Sequence, residues 1–463
     1  MLKHLREIFS IQKKSPARKI ALSFLLVIGV GTLLLMLPIS NHDGKFFSFI
    51  DALFTATSAT CVTGLVTVVT VEQFNLFGQI VLIFLMQIGG LGLMTLMAVF
   101  IVRLKNRLSM HDQIAMKEML NQDTVFNMKS FLFDIFRYTA IFEGIGIVLL
   151  SFRMVPKYGL ASGLFKSLFL SVSAFCNAGF DVLGANSLGD YASDPLVIFT
   201  IMGLIILGGL GFAVWFDIRD KIRPFLKREI GIRRLWRNFA LHTKLVLIMT
   251  SFLIVSVAGL MLIIEYNNMN SIGRLALSDK LMLSSFQSVT LRTCGFASMD
   301  LTTLHMATKF LMMIAMFIGG SPGGTAGGVK TTTFLVLMLF IYSSIRSREQ
   351  PMVFKRTISH DIIARAVSII ALNLLVLMIG IFCLCLFEKA PLSDLCFEAV
   401  SAMATVGLSL NLTPSLSIGG KIVIILLMYI GRIGITTLLI SLVKPMRGAK
   451  SGVTFPSGNV IVG

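Results

Sequence analysis

The chain has 463 residues, of which 55% are apolar and only 14% charged, and it carries a net charge of +18. Soluble globular domains carry about 25% charged residues, so the composition excludes a soluble enzyme or binding module and predicts an all-α membrane protein in contact with the lipid bilayer. The basic surplus does not point to nucleic acid: most of the 41 Lys and Arg fall in residues 1–19, 103–129, 219–244, 346–365 and beyond 443, and none of these segments is a folded basic domain.

Residues 1–18 form a short basic tail, predicted to be cytoplasmic, with no small-residue cleavage site behind it, so the first apolar stretch reads as a retained helix. Eight stretches long enough to cross a bilayer follow in order, over 19–38, 76–102, 131–152, 195–216, 241–265, 306–342, 363–387 and 420–443. The sixth is interrupted by a glycine-rich break at 319–328. The basic segments alternate with acid-bearing connections such as Asp181 to Asp194, and the positive-inside rule then places both termini and the linkers after the second, fourth and sixth helices in the cytoplasm.

Between each odd and even helix lies a segment of about 40 residues containing a Phe, a Ser or Thr four positions on, and then a glycine. The four copies are Phe54–Ser58–Gly64, Phe169–Ser173–Gly179, Phe286–Thr290–Gly295 and Phe397–Ser401–Gly407, with glycines 112 to 116 residues apart. A near-constant period over most of a chain marks an internal repeat. The spacing divides the chain into repeat 1 (19–103), repeat 2 (130–217), repeat 3 (240–345, its second helix broken at 319–328), repeat 4 (361–444) and a C-terminal tail (445–463). The stretch before each glycine suits a helix too short to span, which must enter the bilayer and return within protein. All four repeats start and end on one side, so the expected fold is four parallel helix–pore loop–helix repeats around one central pore, with eight membrane-spanning helices.

The candidate ion-binding residues are the turns after the short helices: Val62, Thr63 and Gly64; Asn177, Ala178 and Gly179; Thr293, Cys294 and Gly295; Thr405, Val406 and Gly407. A glycine reaches positive φ at little cost, so successive carbonyls can aim at one axis. Rings of carbonyl oxygens replace the hydration shell of a passing cation, and the negative C-terminal ends of the short helices favour cations over anions.

A second repeated motif lies in the even helices: Ile88-Gly89-Gly90-Leu91-Gly92, Leu207-Gly208-Gly209-Leu210-Gly211, Ile318-Gly319-Gly320-Ser321-Pro322 and Ile430-Gly431-Arg432-Ile433-Gly434. Glycines there allow bending or close helix packing, and the residues alone leave both open. The third copy continues through Gly323, Gly324, Thr325, Ala326, Gly327 and Gly328, so that helix must break, and broken backbone at this depth must line a cavity. The segment is not a phosphate loop, because Val329 separates Gly328 from Lys330. Arg432 occupies the level of Gly90, Gly209 and Gly320; facing lipid would cost roughly 2.5–3.5 kcal/mol, so carbonyls freed near Ile318 are its expected partners. Residues 319–328 with Lys330 and Arg432 form the candidate gate, with Lys330 either anchoring the loop or reaching toward the cytoplasm.

No cysteine pair has metal-binding spacing, and no nucleophile–base pair or cofactor motif is visible, so neither catalysis nor a cofactor is expected. A secondary transporter coupling an ion to a small solute is the alternative. It would draw on the few membrane acids, Asp51, Asp134, Glu143, Glu265 and Glu398.

The segments Thr60-Cys61-Val62-Thr63-Gly64-Leu65, Asn177-Ala178-Gly179-Phe180, Arg292-Thr293-Cys294-Gly295-Phe296 and Ala404-Thr405-Val406-Gly407-Leu408 resemble those of the potassium-translocating subunits of bacterial Trk and Ktr systems, relatives of K⁺ channels. Trk-type members usually carry two extra N-terminal helices, and a first repeat starting near residue 19 is similar to the Ktr B-type subunit. The resemblance implies K⁺ uptake across a bacterial cytoplasmic membrane, with K⁺ at the four turns as the metal ion bound. It implies a homodimer, with one pore per subunit, docked on a cytoplasmic ring of nucleotide-binding Ktr A-type regulatory subunits, the nucleotide residing on that partner. It also implies Na⁺ as an activator, and a glycine-rich loop that obstructs the pore beneath the filter. Cys294 departs from the family pattern, where alanine is more frequent.

Overall fold

In a hydrocarbon medium a chain must satisfy its own backbone polar groups, and a helix does so within a single segment. The computed structural model describes residues 16–92, 128–347 and 350–442, and these are mostly helical, with one two-residue ribbon pairing Met352–Val353 with Arg356–Thr357. The principal helices are α1 (Pro16–Met36), α2 (Phe49–Cys61), α3 (Leu76–Leu91), α4 (Met128–Tyr158), α5 (Leu160–Cys176), α6 (Pro195–Leu210), α7 (Phe212–Leu226), α8 (Leu241–Glu265), α9 (Leu277–Thr290), α10 (Met306–Phe317), α11 (Thr331–Ile345), α12 (His360–Phe387), α13 (Leu392–Met403), α14 (Ile418–Ile433) and α15 (Ile435–Leu442).

Four helices, α1, α4, α8 and α12, are unbroken, long and apolar enough to cross a membrane. Each is followed by a short helix packed against it, α2, α5, α9 and α13, and then by an even-numbered segment of the expected pattern. Those segments are not the uninterrupted helices expected over 195–216 and 420–443. The first bends by 99° between α6 and α7, and the second stops at Ile433 and restarts at Ile435. The stretch expected over 76–102 is helical to Leu91, and its remainder beyond residue 92 lies outside the described residues, as do the tails over 1–15 and 445–463.

The cause is the last glycine of the repeated motif. Gly92, Gly211 and Gly434 have φ of 82°, 93° and 84° with ψ of 128°, 141° and 131°, a combination that a side chain would forbid. Bending and close packing are both present, on different glycines. A Cβ at Gly89, Gly208 or Gly431 would collide with the carbonyl oxygen of Thr60, Phe175 or Met403, each four residues before the turn glycine of its own repeat.

The order of packing closes on itself. The segment that ends one repeat lies against the short helix of the next: α3 on α5, α6 on α9, α10 on α13, and α14 back on α2. The four phenylalanines of the repeated signature, Phe54, Phe169, Phe286 and Phe397, sit within this arrangement with no exposed surface.

Candidate functional site

The residue two before each turn glycine leaves the helical region, directly after the end of α2 and α5, two residues beyond the end of α13 at Met403, and three residues beyond the end of α9 at Thr290. Val62, Asn177, Thr293 and Thr405 have φ of 57°, 59°, 70° and 53°, and the glycines that follow have φ of 97°, 71°, 84° and 93°. Asparagine tolerates the left-handed region, but for β-branched Val62, Thr293 and Thr405 it is a strained conformation, costing about 1–3 kcal/mol each unless the surroundings hold it. Part of the surroundings is visible. The amides of Thr63, Ala178 and Val406 donate at 2.8 Å to the carbonyls of Ser58, Ser173 and Ser401, and the amides of Gly64 and Gly407 donate at 3.1 Å to the hydroxyl oxygens of Ser58 and Ser401. The third turn has one residue fewer between its Phe and its glycine, and Thr290 instead donates its hydroxyl to the Phe296 carbonyl at 2.9 Å. Ser173 Oγ is buried without a hydrogen-bond partner.

The four turns meet in one ring. A Cβ built on Gly64 would lie 2.7 Å from the Ala178 carbonyl oxygen and 3.2 Å from the Cα of Gly179. Gly179 stands in the same relation to Cys294 and Gly295, Gly295 to Val406 and Gly407, and Gly407 to Thr63 and Gly64. Every turn glycine thus faces the next one, and beside it sits the carbonyl of the residue preceding that neighbour. The flanking thiols of Cys61, Cys176 and Cys294 are fully buried. All twelve candidate ion-binding residues therefore come together.

The glycine-rich loop lies against this ring. A Cβ on Gly327 would strike the Thr405 hydroxyl, and Thr325 donates its own hydroxyl to the Phe175 carbonyl at 3.1 Å. Inside the loop, Ile318 pairs with Val329 and the amide of Gly319 donates to the Val329 carbonyl at 2.9 Å. At its edge the amides of Ser321 and Thr325 donate to the Gly209 and Gly208 carbonyls at 3.0 and 3.1 Å, and the Phe212 amide donates to the Gly323 carbonyl at 2.9 Å. The carbonyls released where α6 breaks are thereby satisfied by the loop of the following repeat.

Arg432 does not bind carbonyls near Ile318, as the sequence led us to expect. Its guanidinium donates to the Thr325 carbonyl in the loop and, in the adjacent first repeat, to the carbonyls of Gly89 and of Gly90, the latter at 3.2 Å. The break at Gly92 frees these two carbonyls at the C-terminal end of α3, where a helix dipole favours a cation. Lys330 anchors the loop by donating to the carbonyls of Ala326 at 2.7 Å and Gly327 at 3.4 Å. A cavity of about 230 Å³ opens beside them, lined by Gly90, Gly92, Gly323, Lys330 and Arg432 together with Phe24.

Sequence reasoning missed three polar contacts, two of which join segments of different repeats. Gln87 donates to both carboxylate oxygens of Glu143 at 2.6 and 2.7 Å, and its side-chain Oε1 accepts from the Cys176 thiol at 3.5 Å. Asp51 and Lys421 form an ion pair at 2.7 Å between α2 and α14. Glu398, fully buried on α13, accepts from the Thr413 hydroxyl. None of these has a local signal: the first two join side chains 56 and 370 residues apart, and the third joins α13 to a turn 15 residues further on.

Comparison with known proteins gives a consistent result. The model of a family described as TrkH, cation transport protein, matches residues 4–451. The chain is 40% identical over 449 residues to the Ktr system potassium uptake protein B of Bacillus subtilis (strain 168), covering 97% of each protein. It is 37% identical over 456 residues to the potassium/sodium uptake protein NtpJ of Enterococcus hirae, covering 98% of each. Among solved structures, that of the potassium transporter TrkH from Vibrio parahaemolyticus superposes with a TM-score of 0.71 at 18% identity, over 94% of this chain and 86% of that one, a likeness of fold.

Proposed function

Because the chain belongs to the TrkH family of cation transport proteins and is a multi-pass membrane protein, we propose that it is the ion-translocating subunit of a Ktr-type potassium uptake system. The observation that carries this reading is the closed order of Gly64, Gly179, Gly295 and Gly407, each lying beside the carbonyl of its neighbour's turn. Four parallel helix–pore loop–helix repeats, over 19–103, 130–217, 240–345 and 361–444, surround one pore, and eight segments cross the bilayer. Carbonyls of the four turns take the place of water around K⁺, and the C-terminal ends of α2, α5, α9 and α13 favour its charge. The strain at Val62, Thr293 and Thr405 supports a function for this backbone shape, since strained residues persist where the surroundings over-determine them.

Below the turns, residues 319–328 obstruct the path and Arg432 holds them closed. The arginine bridges the loop to repeat 1, so releasing it removes that tie while the contacts with α6 and Thr405 remain. The protein sits in a bacterial cytoplasmic membrane with both termini inside, as a homodimer docked on a cytoplasmic ring of nucleotide-binding regulatory subunits. The names of the relatives support K⁺ as cargo, and that of NtpJ supports a part for Na⁺.

The test is ⁸⁶Rb⁺ uptake into proteoliposomes with no other solute added. Flux that K⁺ suppresses more strongly than Na⁺ is the expected result. Flux only in the presence of a second solute would replace this reading with a coupled secondary transporter.

A further inference from the structure

We propose that residues 212–239 form a belt lying on the cytoplasmic surface of the membrane, where they bind anionic phospholipid headgroups; this inference rests on the transmembrane topology given above. The first observation is geometric. The 16 residues of α6 carry no charge, and α7 leaves them at 99°. A helix nearly perpendicular to a spanning one runs along the membrane plane.

The second observation is the distribution of side chains. Val214, Trp215 and Phe216 are buried against the body of the protein, whereas Arg219, Arg223 and Lys227 follow at intervals of four on one face of the chain leaving it. The chain then turns at Arg228, with φ of 59°, and a short helix at Ile232–Asn238 adds Arg233, Arg234 and Arg237. Residues 212–239 hold eight basic side chains against three acidic ones. Among the described residues Arg219 pairs with Asp134 of α4 at 2.8 Å and with Asp220, while Arg223, Lys227, Arg233 and Arg234 form no ion pair. Asp217 accepts from the Ala240 amide at 2.9 Å and folds the far end of the segment back onto α7. The belt is therefore fixed to the protein at both ends, with its middle basic and open.

The third observation favours lipid over a protein partner. Leu226 and Ile232 are each 70% exposed and Trp236 is 39% exposed, on the same elements as the free basic groups. Trp236 packs edge-on against Phe239 at 6.1 Å, and an open groove of about 410 Å³ runs along Phe225, Leu226 and Ile230 with Arg228 at its side. Basic residues beside exposed aliphatic and indole side chains are the pattern of helices that lie in the headgroup–acyl boundary. Anionic headgroups would meet the guanidinium and ammonium groups while Leu226, Ile232 and Trp236 enter the acyl region.

The chain has two tryptophans, so Trp215→Phe leaves Trp236 as the only indole. This protein is placed in nanodiscs of mixed phosphatidylcholine and phosphatidylglycerol, with the acyl chains of one lipid or the other brominated. Quenching of Trp236 should be about twofold or more stronger when phosphatidylglycerol carries the bromine, and the preference should fade as salt rises. The further changes Arg223→Gln, Lys227→Gln, Arg233→Gln and Arg234→Gln should remove the preference. Equal quenching by both lipids, or a preference untouched by salt, overturns the proposal. Quenching by neither lipid but by aqueous iodide also overturns it, and leaves this face to a protein partner. ⁸⁶Rb⁺ flux of the same protein in proteoliposomes of the same lipids reads the transport function separately: flux without lipid preference sinks the belt alone, and lipid preference without flux sinks the transport reading alone.

Discussion

The guanidinium of Arg432 donates to the carbonyl oxygen of Gly90 at 3.2 Å across 342 residues of chain, and the two residues hold the same place in the first and fourth copies of one motif. Through its other contacts the same side chain holds Thr325 in the glycine-rich loop. One side chain therefore ties the loop to a helix end in another repeat.

If this tie closes the proposed pathway, Arg432→Ala should raise ⁸⁶Rb⁺ flux and weaken dependence on the regulatory partner. A shift of about 1.4 kcal/mol in the gate equilibrium would change the open-to-closed ratio about tenfold. Shortening the loop within 323–327 should act likewise, and the double change should be less than additive because both act on one element. Loss of flux in folded Arg432→Ala protein, with flux unchanged after loop shortening, would reduce Arg432 to a structural bridge.

The ring predicts a graded response to serine. Gly179, Gly295 and Gly407 leave a Cβ less room beside the neighbouring carbonyl than Gly64 does. Gly→Ser at those three should lower K⁺ affinity and K⁺/Na⁺ preference more than Gly64→Ser. Gly259, with nothing within 4 Å of a Cβ, should accept serine without effect. Uptake competition between K⁺ and Na⁺ checks the order; wild-type kinetics in all four turn variants would remove the ring from the mechanism.

Ser58 and Ser401 separate a brace from a spacer. Alanine at either leaves the Gly64 amide, in a buried site, or the Gly407 amide, in a partly buried one, without its acceptor, at a cost of up to about 1–3 kcal/mol. Ser173, whose hydroxyl has no partner, should accept alanine with little change. Thermal stability and K⁺/Na⁺ preference of the three variants should therefore split two against one, and equal losses in all three would contradict the assignment.

The thiols report the loop. Cys176 packs against Gly90, which lines the cavity beside Arg432, and it is fully buried. In single-cysteine protein it should resist polar thiol reagents, and become reactive from the cavity side once Arg432→Ala frees the loop. Equal labelling of both proteins would show that the loop does not screen it.

Much of this arrangement was legible because each repeat carries its own local signal. Phe, Ser or Thr, and Gly at fixed spacing located Gly64, Gly179, Gly295 and Gly407, and the crowding of glycine around Pro322 located the loop. The left-handed backbone at Val62, Thr293 and Thr405 was not legible, because β-branched residues disfavour that region and only the surrounding ring imposes it. The breaks at Gly211 and Gly434 were half legible: the last glycine of each motif was visible, but packing and bending demand the same residue. The partners of Arg432 were out of reach, since they depend on how the first and fourth repeats meet.

Covalent linkage of the four repeats frees each from identity with the others. An assembly of four identical chains would place any residue at the level of Arg432 four times around its axis. Four guanidinium groups there would repel one another and compete for the same helix-end carbonyls, and in a membrane interior each carries roughly 2.5–3.5 kcal/mol of insertion cost. A single chain can set one arginine against three small residues, Gly90, Gly209 and Gly320. The proposed lock is thus a solitary charge whose strength can change one substitution at a time, while the ring keeps its near-equivalent backbone.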